Sequence, residues 1–339
     1  MLLILRYVLL ALVLGFAAYY LISQWGAVSA AIKLIAWQSA VLSFLLVLAG
    51  LAFGTVSWIA ILNGLGEKVP FLRAAQILLV GQLGKYVPGS VWSYVMQMEL
   101  GRQYNVSRPR VLITSLYAAG VGVVASLILG ALAAPLLSQE QPQLLWLFAL
   151  LPIGLVCLHP AVMTWLASIV LKIFRRPPLD HRVRLSTIAI ALGASIVSYV
   201  CYGLHLTLLV NSLADPDPGT IILLTGAMAI GFSLSLFAFI LPSGIGVREA
   251  VLVAAMAALI SIPQAAAVSA VSRMMFTLGD VAAAGIAVLF VVIMRRRLRD
   301  EGSVSTLDLG GEHEAPPHPS PAQSAVAPNA QADAKGETS

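Results

Sequence analysis

The feature that most constrains this chain is how its charges fall between long apolar runs. Residues 3–23, 34–62, 111–137, 144–171, 185–212 and 264–294 each contain at most two charged residues. Each run exceeds the roughly 18 residues that mark a membrane-crossing helix. Backbone in hydrocarbon must satisfy its own hydrogen bonds, which leaves helices or closed barrels. Runs this continuously apolar lack the alternation of barrel strands. Only 10% of the residues are charged, against about 25% in soluble domains. The expectation is an all-α polytopic membrane protein, with about six to eight transmembrane helices plus one or two re-entrant hairpins of broken helix.

Charge also divides the chain lengthwise. Residues 1–299 hold 19 Lys/Arg and 8 Asp/Glu, a net of +11, whereas residues 300–339 hold one Lys and 7 Asp/Glu, a net of −6. The second segment is rich in Pro and Ala and too polar to bury a core. We therefore expect a membrane-embedded domain over 1–299 and a disordered acidic tail over 300–339, on the cytoplasmic side.

Orientation follows from Lys and Arg in the short loops. Loops 63–73 and 101–110 carry Lys68, Arg73, Arg102, Arg108 and Arg110. Loop 172–184 carries Lys172, Arg175, Arg176, Arg182 and Arg184, and the last run ends on Arg295, Arg296, Arg297 and Arg299. Loops 138–143 and 213–218 carry none, and only Lys33 stands on that side. The pattern alternates for a multi-pass protein of the cell (plasma or inner) membrane with both termini cytoplasmic. It requires that residues 70–101 enter and leave from the cytoplasm. The alternative for the first run is a cleaved signal peptide, with Ala27-Val28-Ser29 ahead of Ala30.

Two places interrupt the apolar pattern without a charged loop. At Gly84-Lys85-Tyr86-Val87-Pro88-Gly89-Ser90, proline and glycine stop one helix, and Ser90 stands where it can cap the next. Neither arm, 71–84 or 91–102, is long enough to cross, so a re-entrant hairpin fits, with Lys85 near mid-membrane. At Leu241-Pro242-Ser243-Gly244-Ile245-Gly246, a second helix is broken and another begins near Val247, with Arg248 and Glu249 in its first turn. Whether residues 219–262 form a re-entrant hairpin or two crossings stays open at this level.

Non-helical backbone at membrane depth is tolerated where it is buried in protein or lines a wet cavity. Paired broken helices in two halves of a chain point to a transporter binding site. Each break opens a helix N-terminus, which favours an anion, and each brings a cation, Lys85 or Arg248. Arginine forks onto phosphate, whereas lysine acts as a point charge. A phosphate-bearing headgroup is the natural occupant; the structural alternative pairs Lys85 with Glu99 or Glu249. In the last run, Arg273 and Asp280 lie two turns apart on one face and are expected either to bracket a common cavity or to bind through neighbours. Asp280 is a candidate for proton coupling, with plain helix–helix pairing as the alternative, and so is His205, for which an interior polar role is the plainer reading. Tyr86, Trp92, Tyr94 and Trp58 suit either a lipid path or an interfacial aromatic belt, with the belt favoured for Trp58.

Small residues at four-residue spacing, Gly122/Ser126/Gly130 and Ala227/Gly231/Ser235, suit close helix packing. Cys157 and Cys201 lie in apolar runs with no metal spacing. No cofactor, metal or nucleic-acid partner is expected.

The segments Gly81–Trp92 (GQLGKYVPGSVW) and Leu241–Ala250 (LPSGIGVREA), with Arg273, resemble the lysylphosphatidylglycerol synthase transmembrane-domain family, also called flippase-like domain proteins. The likeness spans roughly residues 6–297. In bifunctional members, this membrane domain flips an aminoacylated phosphatidylglycerol that a soluble domain makes. No such domain is visible here, so aminoacyl transfer is not expected. Ser90-Val91-Trp92 stands where those members carry Gly-Glu and a following Arg, so stand-alone members with Gly-Lys-Tyr-x-Pro-Gly look closer. The resemblance implies headgroup contacts at Lys85, Tyr86, Arg248, Glu249 and Arg273, and hairpin breaks at Pro88, Gly89, Pro242, Gly244 and Gly246; Ser90, at the start of the new helix, is a further candidate contact.

The leading expectation is a lipid translocase for an anionic phospholipid or a polyprenyl-phosphate-linked lipid. The alternatives are a membrane glycosyl- or phosphotransferase, for which only Glu99, Glu249 and Asp280 offer carboxylates, and a scaffold for a glycosyltransferase or other envelope enzyme.

Overall fold

The computed structural model describes residues 26, 35–87, 91–137, 150–173, 175, 183–237 and 246–308. The first apolar run and the tips 88–90 and 238–245 lie outside these, and with them the expectations for Pro88, Gly89, Ser90, Pro242 and Gly244. The chain divides into two compact units, Met1–Ile293 and Met294–Ser339. In order, the helices are α1 (Trp37–Gly64), α2 (Phe71–Gly81), a 3-10 turn (Gln82–Tyr86), α3 (Val91–Gln103) and α4 (Arg108–Leu137). They are followed by α5 (Leu150–Cys157), α6 (Pro160–Ile173), α7 (Leu185–Val210), α8 (Pro218–Phe237), α9 (Val247–Met256) and α10 (Ile262–Asp308). The expected domain boundary at residue 299 falls inside α10, and residues 309–339 lie outside the described chain.

Among the described residues, five helices are long and apolar enough to cross a bilayer: α1, α4, α7, α8 and α10 as far as Met294. The pair α5 and α6 makes a sixth if taken as one span, bent by 71° at its break near His159. Outward faces carry large apolar side chains such as Leu45, Phe53 and Leu289. The molecule is an all-α, multi-pass membrane protein.

Hydroxyl groups set the closest helix contact. Ser57 of α1 donates to the Ala191 carbonyl of α7 at 2.9 Å, and Ser198 of α7 returns a bond to the Gly50 carbonyl at 2.7 Å. The Gly122/Ser126/Gly130 stripe of α4 packs on α8, but not through the Ala227/Gly231/Ser235 stripe, whose Gly231 faces Arg248. Ser233 of α8 donates to Ser126 of α4 at 2.6 Å, and an added Cβ at Gly226 would lie 3.4 Å from the Gly130 Cα. Trp58 corrects the belt expectation: it is 2% exposed and donates its indole N–H to Ser115. Ser115 in turn donates to Gln97 of α3, so the indole serves a buried polar chain rather than an interface.

The first break folds as a helical hairpin. The α2 helix tightens into the 3-10 turn, and Gly84 sits directly under the start of α3. A Cβ at Gly84 would stand 2.8 Å from the Trp92 carbonyl oxygen and the Ser93 nitrogen. Backbone cannot yield as a flexible side-chain end can, so Gly84→Ala is expected to destabilise by about 1–3 kcal/mol, as overpacking does. Thermal melting of the detergent-solubilised variant checks this; an unchanged midpoint would mean that the tip has room. At the base, Glu99 ties α3 to α4 by pairing with Arg102 at 2.7 Å and Arg108 at 2.6 Å, and the Arg108 guanidinium holds its carboxyl below the usual carboxylate range.

The second break joins unequal arms. The 20 residues of α8 rise about 30 Å, whereas the 10 of α9 rise only about 15 Å. Two apolar clusters surround the breaks. One gathers Tyr202, Leu206, Met228, Leu252 and Phe276; the other gathers Trp58, Ile77, Leu83, Tyr86 and Ala284. Helix α10 contributes to both and forms their common wall.

Candidate functional site

The 3-10 turn at the first break aims three donors at one carboxylate of α10. Asp280 is fully buried. Its Oδ2 takes the Lys85 ammonium at 2.6 Å and the Tyr86 hydroxyl at 2.5 Å, and its Oδ1 takes the Gln82 amide at 3.2 Å. Lys85 remains 29% exposed along its side chain and lies 5.4 Å from the centre of the Tyr86 ring. The partner of Lys85 is therefore Asp280, not Glu99 or Glu249. A buried carboxylate costs several kcal/mol without compensation, and the turn supplies one charge and two neutral donors.

The second break is built around Glu249. Gly246 adopts φ +90°, a conformation open to glycine but strained for other residues, and its N–H donates to Glu249 Oε2 at 2.7 Å. Oε1 of the same carboxylate pairs with Arg273 of α10. Glu249 thus caps α9 and fixes it to the last helix. Arg273 and Asp280 share a face of α10, as their spacing implies. Arg273 pairs with Glu249 at the second break and Asp280 with Lys85 at the first.

Arg248 has a different environment. It is 8% exposed, and its guanidinium packs against two rings that themselves meet edge to face, 4.1 Å from the centre of Phe232 and 4.0 Å from that of Phe276. Its Nη2 donates to Ser272 and to the Met228 sulfur, both at 3.3 Å. Among the described residues, no carboxylate lies within ion-pair distance of it, and the adjacent Glu249 acts on it only at longer range. Ring faces attract a desolvated cation by about 2 kcal/mol each, which offsets only part of the several kcal/mol that burying an ion costs. The arrangement holds the guanidinium against the two rings without a direct ion-pair partner among the described residues.

His205 reaches this arginine through one hydroxyl. Its Nε2 bonds to Ser272 Oγ at 2.9 Å and its Nδ1 to Ser43 Oγ at 2.6 Å, with no side-chain exposure. Both ring nitrogens are engaged, as an interior polar residue requires. Sequence reasoning missed Gln82, Ser272, Phe232 and Phe276. A signal existed for two of them: Gln82 is a polar residue three positions before Lys85, and Phe276 sits one turn from both Arg273 and Asp280. Among the described residues, no cluster of three or more His, Cys, Asp or Glu could hold a metal.

A family model described as the lysylphosphatidylglycerol synthase TM region matches residues 3–285, which covers both breaks and Asp280. No curated protein matches the chain.

Proposed function

We propose that this chain, which belongs to the lysylphosphatidylglycerol synthase TM region family, moves an anionic lipid between the leaflets of the cell membrane. The lipid is a phospholipid or a polyprenyl-phosphate-linked lipid. The observation that carries the reading is Arg248: a buried guanidinium in the first turn of a broken helix, with no carboxylate within ion-pair distance among the described residues. An anionic headgroup supplies a direct countercharge, and a phosphate suits the fork of an arginine. In this reading the α2–α3 hairpin is re-entrant from the cytoplasmic side, both termini are cytoplasmic, and Lys85 is a second contact. Ion pairs on α10 (Arg273 with Glu249, Asp280 with Lys85) hold the two breaks in place around the path.

Reconstitution tests it. In phosphatidylcholine vesicles carrying a trace of labelled phosphatidylglycerol or labelled polyprenyl phosphate, the protein is expected to expose label from the inner leaflet to a membrane-impermeant quencher. Arg248→Ala and Lys85→Ala are expected to slow this severalfold or more. No movement of either lipid, or equal rates in both variants, would refute the proposal.

A further inference from the structure

We propose that Asp280 is an internal stand-in for the lipid phosphate: it occupies Lys85 when no headgroup is there and yields the lysine when one arrives. This inference rests on the reading of Lys85 as a headgroup contact. Three features argue for a releasable pair rather than a permanent brace.

First, the two partners differ in access. Asp280 is wholly buried, while Lys85 keeps 29% of its side chain exposed. An anion can approach the ammonium from the open side while the carboxylate stays behind it. Second, Asp280 does not depend on the lysine alone. Tyr86 and Gln82 donate to it from the same turn, so departure of Lys85 leaves a carboxylate with two hydrogen bonds rather than none. An ion pair whose rupture strands a bare buried charge would resist opening; this one is built to lose one donor of three. Third, the other cation differs. Arg248 has no carboxylate within ion-pair distance among the described residues, so in this state one cation is covered by the protein's own anion and the other has no direct anionic partner among them. A headgroup that engages Arg248 first would meet, at Lys85, a contact it must win from Asp280. That competition keeps the lysine from binding the lipid too tightly to release it.

The test is binding and transport measured together. Purified protein in zwitterionic detergent is titrated with short-chain phosphatidylglycerol and, separately, with a short-chain polyprenyl phosphate; short-chain phosphatidylcholine serves as the control. Asp280→Asn removes the competitor but keeps the shape. It is expected to bind an anionic probe about tenfold more tightly than wild type, the scale of one charge-assisted contact, and to move lipid more slowly because release is slowed. The gain should vanish in Lys85→Met/Asp280→Asn. Tyr86→Phe leaves Asp280 more dependent on Lys85 and is expected to shift affinity the other way, which provides a second readout if Asp280→Asn does not fold. Equal or weaker anion binding by Asp280→Asn overturns the inference, as does a Tyr86→Phe variant that binds more tightly. If wild type binds an anionic probe in an Arg248-dependent way while Asp280→Asn shows no gain, only the stand-in role fails. If Arg248→Ala binds as wild type does, the reading of the site itself fails.

Discussion

Arg248→Lys is expected to lose nearly as much lipid movement as Arg248→Ala, at least about tenfold relative to wild type. The substitution keeps the charge, so charge alone predicts little change. Geometry predicts otherwise. The guanidinium packs against Phe232 and Phe276 at about equal distance from both ring centres. A lysine ammonium is compact, strongly hydrated and carries no planar fork, so it can neither keep both ring contacts nor hold two oxygens of a phosphate side by side. Each 1.4 kcal/mol of lost contact is a factor of ten, and a single desolvated ring contact is worth about that or more. The measurement is the initial rate of label exposure in vesicles at matched protein density, with melting curves to show that both variants fold. Wild-type rates in Arg248→Lys would mean that the site reads only charge.

Glu249→Gln is expected to destabilise the folded protein by about 3–5 kcal/mol, the range seen when one partner of a buried ion pair is removed. The variant removes the carboxylate that faces Arg273, whose side chain is 8% exposed, and weakens the acceptor that caps α9 at Gly246. Replacing both partners, as in Glu249→Gln/Arg273→Leu, should recover a substantial part of the loss, because the buried cation is removed with its carboxylate. Melting of wild type, Glu249→Gln, Arg273→Leu and the double variant in one detergent provides the cycle. Glu99→Gln is the control: its arginine partners are more than half exposed, and pairs of that kind contribute about 0–1 kcal/mol. Equal losses at Glu249 and Glu99 would show that burial does not set the strength of the first pair.

The two predictions separate what the sequence made legible from what it did not. Crossing helices were legible because an unbroken apolar run of that length has few other structures in lipid. Both breaks were legible because proline and glycine disturb a pattern that is otherwise smooth. The cations were legible because a charge is costly there. Their partners were not. Lys85 and Asp280 are 195 residues apart, and the spacing within one helix carries no information about what a neighbouring helix presents. The same limit explains why Arg273 and Asp280, two turns apart, gave no sign that one pairs with Glu249 and the other with Lys85. Trp58 failed for another reason: a lone tryptophan near a helix end looks the same whether it meets lipid headgroups or, as here, a serine on the next helix. The aromatic pair against Arg248 draws one ring from α8 and one from α10, and neither is unusual in its own helix.

The arrangement of partners on α10 also bears on how the protein is made. A chain leaves the ribosome from its N-terminus, so Lys85 leaves it long before Asp280 is made. Until the final helix arrives, the first hairpin holds a lysine without its buried carboxylate. Insertion of that helix then supplies the countercharge. It is the closing piece of biogenesis, and a nascent chain stopped short of residue 262 keeps at the first hairpin a charge that lipid alone cannot solvate.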